Sequence, residues 1–474
     1  MPPVKSCAIA IACLTLLLPG LVRLAHAATP AHIVSGRLQL IWGDGPPGSP
    51  HQESRFRASL IDNAGHEIRL EPGAALRAAE DLYALNGQAV AVEIDETSLQ
   101  AAPGAAVISK AIVPLGGPAL PVTALTHSVS GSQPWVSILC KFSDVSTEPN
   151  PLGYFAAMYA NQPKALDHYW REVSYNNINI LGSAAYGWFT LPHPRSYYIS
   201  NKHADLDKLM DDCTGVADAT VNFSPFVGIN QMFNDNLDCC AWGGSKYRSL
   251  DGPNRLWRVT WEPPWSYRNL APLAHEMGHG FGLPHANNSD TDTDPYDNPW
   301  DVMSNTWDNA QHDAVYGILP KHLSIWSRDR LGWVDAADKL ALNQFGTWTA
   351  IPLDFAGSAA VAGVREIEIH VPGAPAAESW TVEARQRAGV YEGNLAATAV
   401  IVHHVETGRQ EPAWSFDKDN PPADVANNRG SQFLVGDSWP LGNGVHLSVT
   451  ATTPTGFLVD VTVGDVLFAD GFEP

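Results

Sequence analysis

The chain has 474 residues, 45% of them hydrophobic, which is too long for one ordinary core and sets an expectation of two or three domains. Its 29 basic residues stand against 50 acidic ones, and that balance repels phosphate backbones, so neither nucleic acid nor an anionic membrane is expected as a partner.

Residues 1–27 read as an export signal. Lys5 supplies the charge, CAIAIACLTLLLPG is a short apolar run, and Ala25–His26–Ala27 fits the small-x-small cleavage rule. The run is too short for a comfortable membrane span and nothing later reaches its length. A secreted chain starting at residue 28 is therefore expected. Loss of Lys5 and Arg23 leaves 27 basic residues against 50 acidic, a charge of −23. Loss of Cys7 and Cys13 leaves Cys140, Cys213, Cys239 and Cys240. An even number in an exported chain favours disulfides. Joining the adjacent Cys239 and Cys240 is expected to strain the backbone, so Cys140 and Cys213 are each expected to pair with one of them. No CxxC spacing supports a cysteine zinc site.

Residues 28–130 are expected to form a β-rich domain. IVSGRLQLIWGD, RFRASLID, HEIRL and QAVAVEI are alternating or β-branched runs separated by Gly, Pro, Asn and Asp. LTHSVSGSQ (Leu125–Gln133) is small and polar, a linker by composition. From Trp135 the pattern mixes types. WVSILCKFSD reads as a buried strand, YFAAMYANQPKALDHYWREVSY and HADLDKLMDDCTGVADATV as helices, and RLWRVTW as a strand, which implies a mixed α/β layer over 131–336. WGGS (Trp242–Ser245) reads as a turn, or else as a flexible cleft wall. Over 337–465 the helical signal fades, and WTVEAR, TAVIVHHVE, SQFLVG, VHLSVTA and FLVDVTV are spaced like sandwich strands. His403 and His404 fall on opposite faces of such a strand, so they are read as structural. Residues 466–474 are a tail whose LFADGFEP resembles short tails on exported bacterial proteins.

LAHEMGHGFGLPHA (Leu273–Ala286) carries the chemistry. With Asn269 as cap and Pro272 in the first turn, Leu270, Leu273, Ala274, Met277 and Phe281 share one helical stripe that a core can bury. His275 and His279 stack one turn apart on the opposite side, spaced to hold one ion. Gly280 and Gly282 end the helix and let the chain reverse, which returns His285 as a third ligand. Three protein ligands leave one tetrahedral position for water, the arrangement of a catalytic zinc. Glu276 lies beside that position as general base, then as acid toward a leaving amine. All five specified positions arise by chance in about one such chain in ten thousand, which decides against a histidine-rich solvated face.

HExxHxxGxxH is the zinc signature of the metzincin metallopeptidases, and this sequence resembles them at every specified position. DNPWDVMSNTW adds Met303, eighteen residues after His285, as a counterpart of their methionine turn. ALDHYWREVSYNNINILGSAAYGWFTLP, YDNPWDVMS and SWTVEARQRAGVYEGNLAATAVIVHHVE resemble the gametolysin-like and immune-inhibitor-A-like secreted peptidases, over roughly residues 135–463. The resemblance implies an α/β (α+β) metzincin-like catalytic domain with a twisted mixed sheet and an active-site helix. A small N-terminal β domain, open to being a removable prodomain, and a C-terminal β-sandwich-like domain would flank it. It also implies a zinc metalloendopeptidase acting on protein or peptide substrates, with one catalytic zinc.

Two departures stand out. Asn305 replaces the tyrosine that some relatives place two residues after the methionine, leaving Tyr296 and Tyr316 nearby but unassigned. No cysteine lies between residues 28 and 139, so no propeptide thiolate can cap the zinc. The acidic run Asp290–Asp294 begins like a calcium loop, but Pro295 and Asp301 stand where an EF-hand needs Gly and Glu. A looser Ca2+ site there competes with a solvated acidic loop, and Asp297 or Asp301 can support the methionine turn instead. Two rivals to the peptidase reading remain: a zinc-stabilised binding or adhesion protein on a peptidase scaffold, and a zinc hydrolase of non-peptide amides or esters.

Overall fold

The computed structural model describes residues 32–46, 54–100, 104–116, 128–290, 294–358, 363–419 and 428–464. The export signal, the tail and the centre of the acidic run (Thr291, Asp292 and Thr293) lie outside the described residues.

The alternating runs at the N-terminus form strands β1 (His32–Asp44), β2 (Ser54–Asp62), β3 (Glu67–Leu70), β4 (Ala89–Ile94) and β5 (Ser109–Pro114), with a short helix, α1 (Pro72–Ala78). Glu71 starts α1, its carboxylate accepting from Gly73 N at 3.1 Å and Ala74 N at 2.6 Å. Leu38, Leu40, Trp42, Leu60, Val90 and Val92 close a core made only of this segment's own residues. The expected linker is tied down instead. In its described part, residues 128–133, Val129 is buried and donates to Leu331 O at 3.0 Å, and Gly131–Ser132 pair with Ile178–Asn179.

The middle of the chain supplies β6 (Trp135–Lys141), α2 (Leu166–Val173), β7 (Ala184–Thr190), α3 (Leu206–Ala217), β8 (Gly228–Phe233), β9 (Ala241–Arg248), β10 (Arg255–Glu262) and α4 (Leu270–Gly280). The long helical stretch divides into Leu152–Met158 and α2 around Pro163, which lacks the N–H a continuous helix needs. Side chains of β6 alternate between two cores. Trp135 and Leu139 face α2 and α4, whereas Val136, Ile138 and Cys140 face α3. Cys140 therefore meets Cys213 of α3, at a Cα separation of 5.9 Å, and they are joined. That corrects the expected pairing, since Cys239 and Cys240 are bonded to each other. WGGS is also no turn, because Trp242–Ser245 lie inside strand β9.

The strands of both regions make one ten-stranded sheet in the order β3-β2-β1-β9-β10-β8-β6-β7, with β4 beside β1 and β5 beside β4. The seam is antiparallel, Ile41 to Asp44 of β1 running against Gly244 to Ala241 of β9. Gly244 is required there. A Cβ would lie 2.8 Å from Ile41 Cα, and φ is +148°.

Beyond α4 come β11 (Asn287–Asn288), β12 (Lys339–Leu342), β13 (Gly346–Asp354), β14 (Glu366–Ile369), β15 (Glu378–Arg385), β16 (Ala399–Glu406), β17 (Ala413–Ser415), β18 (Ser438–Gly442), β19 (Val445–Thr453) and β20 (Gly456–Val463). Two sheets, β11-β17-β16-β15-β14-β12 and β13-β20-β19-β18, enclose a core containing Leu353, Ile367, Val382, Val402, Val449 and Val461. SQFLVG is not a strand. Phe433 makes a single bridge to Val400 and sinks into the core while Asp437 turns the chain by accepting from Leu434 N. β11 follows His285 closely, so the candidate site is stitched to the C-terminal sheet.

Non-reducing peptide mapping should recover Cys140 linked to Cys213, and Cys239 linked to Cys240 within one peptide. Replacing both Cys140 and Cys213 by Ser opens a loop of sequence separation 73 and should lower unfolding stability by about 2–4 kcal/mol in a denaturant titration.

Candidate metal centre

Helix α4 lies against β9 and β10 with its apolar stripe in the core that also holds Trp135, Trp170 and Met303. Asn269 occupies the cap position but does not cap its own helix. Its side-chain Oδ1 accepts from Ile318 N at 3.1 Å, while Leu270 N is satisfied by Tyr316 O at 2.9 Å. The helix ends at Gly280, and Gly282, with φ +97°, reverses the chain so that His285 returns toward His275 and His279.

The three imidazoles converge. His279 Nε2 is 3.0 Å from His275 Nε2 and 3.2 Å from His285 Nε2. His275 Nδ1 lies 2.7 Å from Val302 O, and His279 Nδ1 lies 2.7 Å from Leu283 O. A carbonyl only accepts, so each of these Nδ1 atoms carries the proton and each Nε2 presents a bare lone pair. Burial pushes His279 down to about 3, so it is neutral at pH 7. Bare lone pairs aimed at one another across about 3 Å repel unless a cation lies between them. A tetrahedral ion with nitrogens at about 2.0–2.1 Å would hold them about 3.3 Å apart. The residues therefore fit a zinc ion, with the carbonyls setting tautomer and ring orientation.

Glu276 is buried beside the triad, and its Oε2 has no hydrogen-bond partner. Burial, then the negative charges of Asp44 and Glu262, push its carboxyl well above the usual range. Burial likewise pushes Glu262 up to about 8. Gly243 of β9 admits this packing, since a Cβ there would stand 2.8 Å from Glu276 Oε2. Met303 is fully buried beneath the helix, with its Sδ against the Cα of Gly278, where a Cβ would collide. Its loop is held by Asp301, whose carboxylate accepts from Met303 N at 2.8 Å, Ser324 N at 3.1 Å and Ser327 Oγ at 3.2 Å. Asp297 instead accepts from Asn288 N at 3.2 Å.

Two residues enter that sequence reasoning did not place. Asp44, at the end of β1, sets Oδ1 2.7 Å from His285 Nε2 and Oδ2 3.4 Å from Nε2 of both His275 and His279. Tyr296 donates its hydroxyl to Asp44 Oδ1 at 2.5 Å and packs its ring edge against His285. Nothing in WGDGPP marks Asp44 as a ligand, whereas Tyr296 was visible as one of two nearby tyrosines. The other, Tyr316, packs against Tyr154 in the core and takes no part. His403 is buried and faces Asn298, while His404 points away to Glu378, as their strand positions require.

No family model matches the chain, and no curated protein does. Among solved structures, wild-type OgpA from Akkermansia muciniphila matches with 11% identity over 69% of this chain and 92% of that one, at a TM-score of 0.27. A catalytically inactive OgpA in complex with an O-glycopeptide substrate, glycodrosocin, matches with 10% identity over 68% and 88%, at 0.25. Scores this low bear on neither fold nor activity, so the functional reading rests on the chemistry of the site alone.

Metal analysis of the purified chain should find about one zinc per molecule. Replacing His275, His279 or His285 by Ala should reduce it to a small fraction, and Glu276→Ala should leave it unchanged.

Proposed function

We propose that the chain is a secreted, zinc-dependent metallopeptidase with a metzincin-like catalytic unit. The observation that carries this reading is the convergence of the three Nε2 atoms on one point beside Glu276, whose Oε2 has no hydrogen-bond partner. His275, His279 and His285 would hold the ion. When bound, zinc lowers the pKa of a water to about 7 and polarises a carbonyl.

Glu276 is placed to take the proton of the attacking water. The same carboxyl would then hand that proton to the leaving amine. Met303 and the Asp301-held loop keep the Val302 carbonyl on His275, which fixes that ring. Asp44 Oδ1 lies 2.7 Å from His285 Nε2, and on this reading a developing oxyanion would lie near the same point. Tyr296, which donates to that oxygen, is therefore positioned to stabilise the oxyanion, the task that Asn305 cannot perform. Asn305 is occupied structurally, its amide donating to Tyr296 O at 2.9 Å.

Extended peptides fit better than small esters or amides. The main chain of β1 already runs along β9 as a strand and delivers a side chain to the triad, which is how an unfolded substrate would add to that edge. The unpartnered Glu276 oxygen likewise has no use in a purely structural metal site. A Ca2+ role for Asp290 to Asp294 gains no support from the described residues.

Cleavage of unfolded casein is assayed with and without prior limited trypsin treatment. The activity should be abolished by a chelator and fall by at least about a hundredfold in Glu276→Ala with zinc retained. Equal cleavage by Glu276→Ala would refute the mechanism. Tyr296→Phe should lower kcat by roughly 10²–10³ with KM little changed, because the hydroxyl acts on the developing charge.

A further inference from the structure

We propose that the cavity at the C-terminal end of α4 is a binding site for a small organic carboxylate with an apolar body, and that Arg258 receives the carboxylate. None of the three histidines, Glu276 or Asp44 lines this cavity. The inference therefore stands apart from the zinc-peptidase reading and survives its failure.

The cavity measures about 310 Å3 and lies where the turn that closes α4 meets β10 and the N-terminal β region. That volume is at the small end of ligand pockets, which run from about 300 to 1,000 Å3. Its walls divide by chemistry. Val129, Phe281 and Leu331 supply an apolar side, and Arg255, Arg258 and Arg330 line the same space. Apolar walls with a few polar groups among them suit a ligand that has both characters.

The protein does not balance the charge it places there. Arg330 is neutralised, forking onto Asp81 at 2.7 and 2.8 Å. Among the described residues no carboxylate pairs with Arg255 or Arg258. Burial pushes the Arg258 guanidinium down to about 10 and lowers that of Arg255, with no acidic neighbour acting against it. Carboxylates are not scarce in this chain, with 50 acidic residues against 29 basic ones, yet none meets these two cations. A partly buried guanidinium without a counter-charge is costly, and an anion entering the cavity would offset that cost.

Arg258 is also held in position. Its Nη1 donates to Gln133 Oε1 at 2.6 Å, and its guanidinium carbon lies 5.0 Å from the centroid of the Phe281 ring. Gly280 allows this approach, since a Cβ there would stand 3.3 Å from Arg258 Cβ. A single bond to a neutral amide fixes the planar fork without using it up. The N–H groups that remain match the paired oxygens of a carboxylate. Arg255 is fixed in the same manner, its Nη2 donating to Phe226 O at 2.7 Å and its guanidinium carbon 3.7 Å from the centroid of the Trp257 ring. Inorganic phosphate would meet the charge and leave the apolar wall in water. A carboxylate on an apolar body covers both.

Isothermal titration calorimetry on the full chain tests the site with N-acetyl-leucine, its uncharged amide N-acetyl-leucinamide, and inorganic phosphate. The wild type should bind N-acetyl-leucine at one site with a Kd below about 1 mM, and the amide at least about tenfold more weakly. Arg258→Gln should weaken the binding of N-acetyl-leucine at least about tenfold. Equal affinity for acid and amide overturns the proposal, as does undiminished binding by Arg258→Gln or no binding by the wild type. If the substitution unfolds the chain, the wild-type comparison is repeated after a chelator has stripped the metal. Loss of the difference between acid and amide there would put the ligand on the histidines and overturn the proposal; its persistence supports it. Phosphate bound more tightly than N-acetyl-leucine would overturn the assigned ligand class.

Discussion

Two hydrogen bonds, from His275 Nδ1 to Val302 O and from His279 Nδ1 to Leu283 O, are what the site depends on. They turn both Nε2 lone pairs inward, which is the arrangement a bound cation would use. They also explain why distant features must be where they are. Val302 O is in place because Met303 packs under Gly278 and Asp301 ties the loop to Ser324 and Ser327. Leu283 O is in place because Gly282 takes a left-handed turn that a side chain would resist. Ala286 N donates to Met303 O at 3.0 Å and locks the two loops together.

The electrostatics point the same way. Asp44, Glu262 and Glu276 gather around the histidines within a buried region, and burial pushes both glutamates upward. Such a cluster is costly to bury without positive charge close by. A divalent ion held as proposed would offset that cost. The cost is tolerated because the cluster sits on a sheet and helix held by two separate cores, one on each side of β6.

The ligand helix was legible in the sequence because its signal is local: spacing on one turn, a glycine stop and a return. Met303 was legible through resemblance, and the strand runs through their alternation. What escaped depends on contacts between remote segments. Asp44 reaches the histidines only because β1 pairs with β9, and no local pattern encodes that registry. The cysteine pairing failed because it turns on which face of β6 meets α3. The supposed linker failed because one buried valine outweighed a polar composition. WGGS misled because its glycines serve close packing, Gly243 against Glu276 and Gly244 against β1, and neither ends a strand.

The central claim is that the imidazoles of His275, His279 and His285 hold one metal ion. X-ray absorption at the zinc edge, on the purified full chain, tests it most directly. The account predicts one zinc with four nitrogen or oxygen neighbours at about 2.0–2.1 Å, the multiple scattering of three imidazoles, and no sulfur. Sulfur neighbours at about 2.3 Å, or a chain that holds no zinc after dialysis against it, would contradict it.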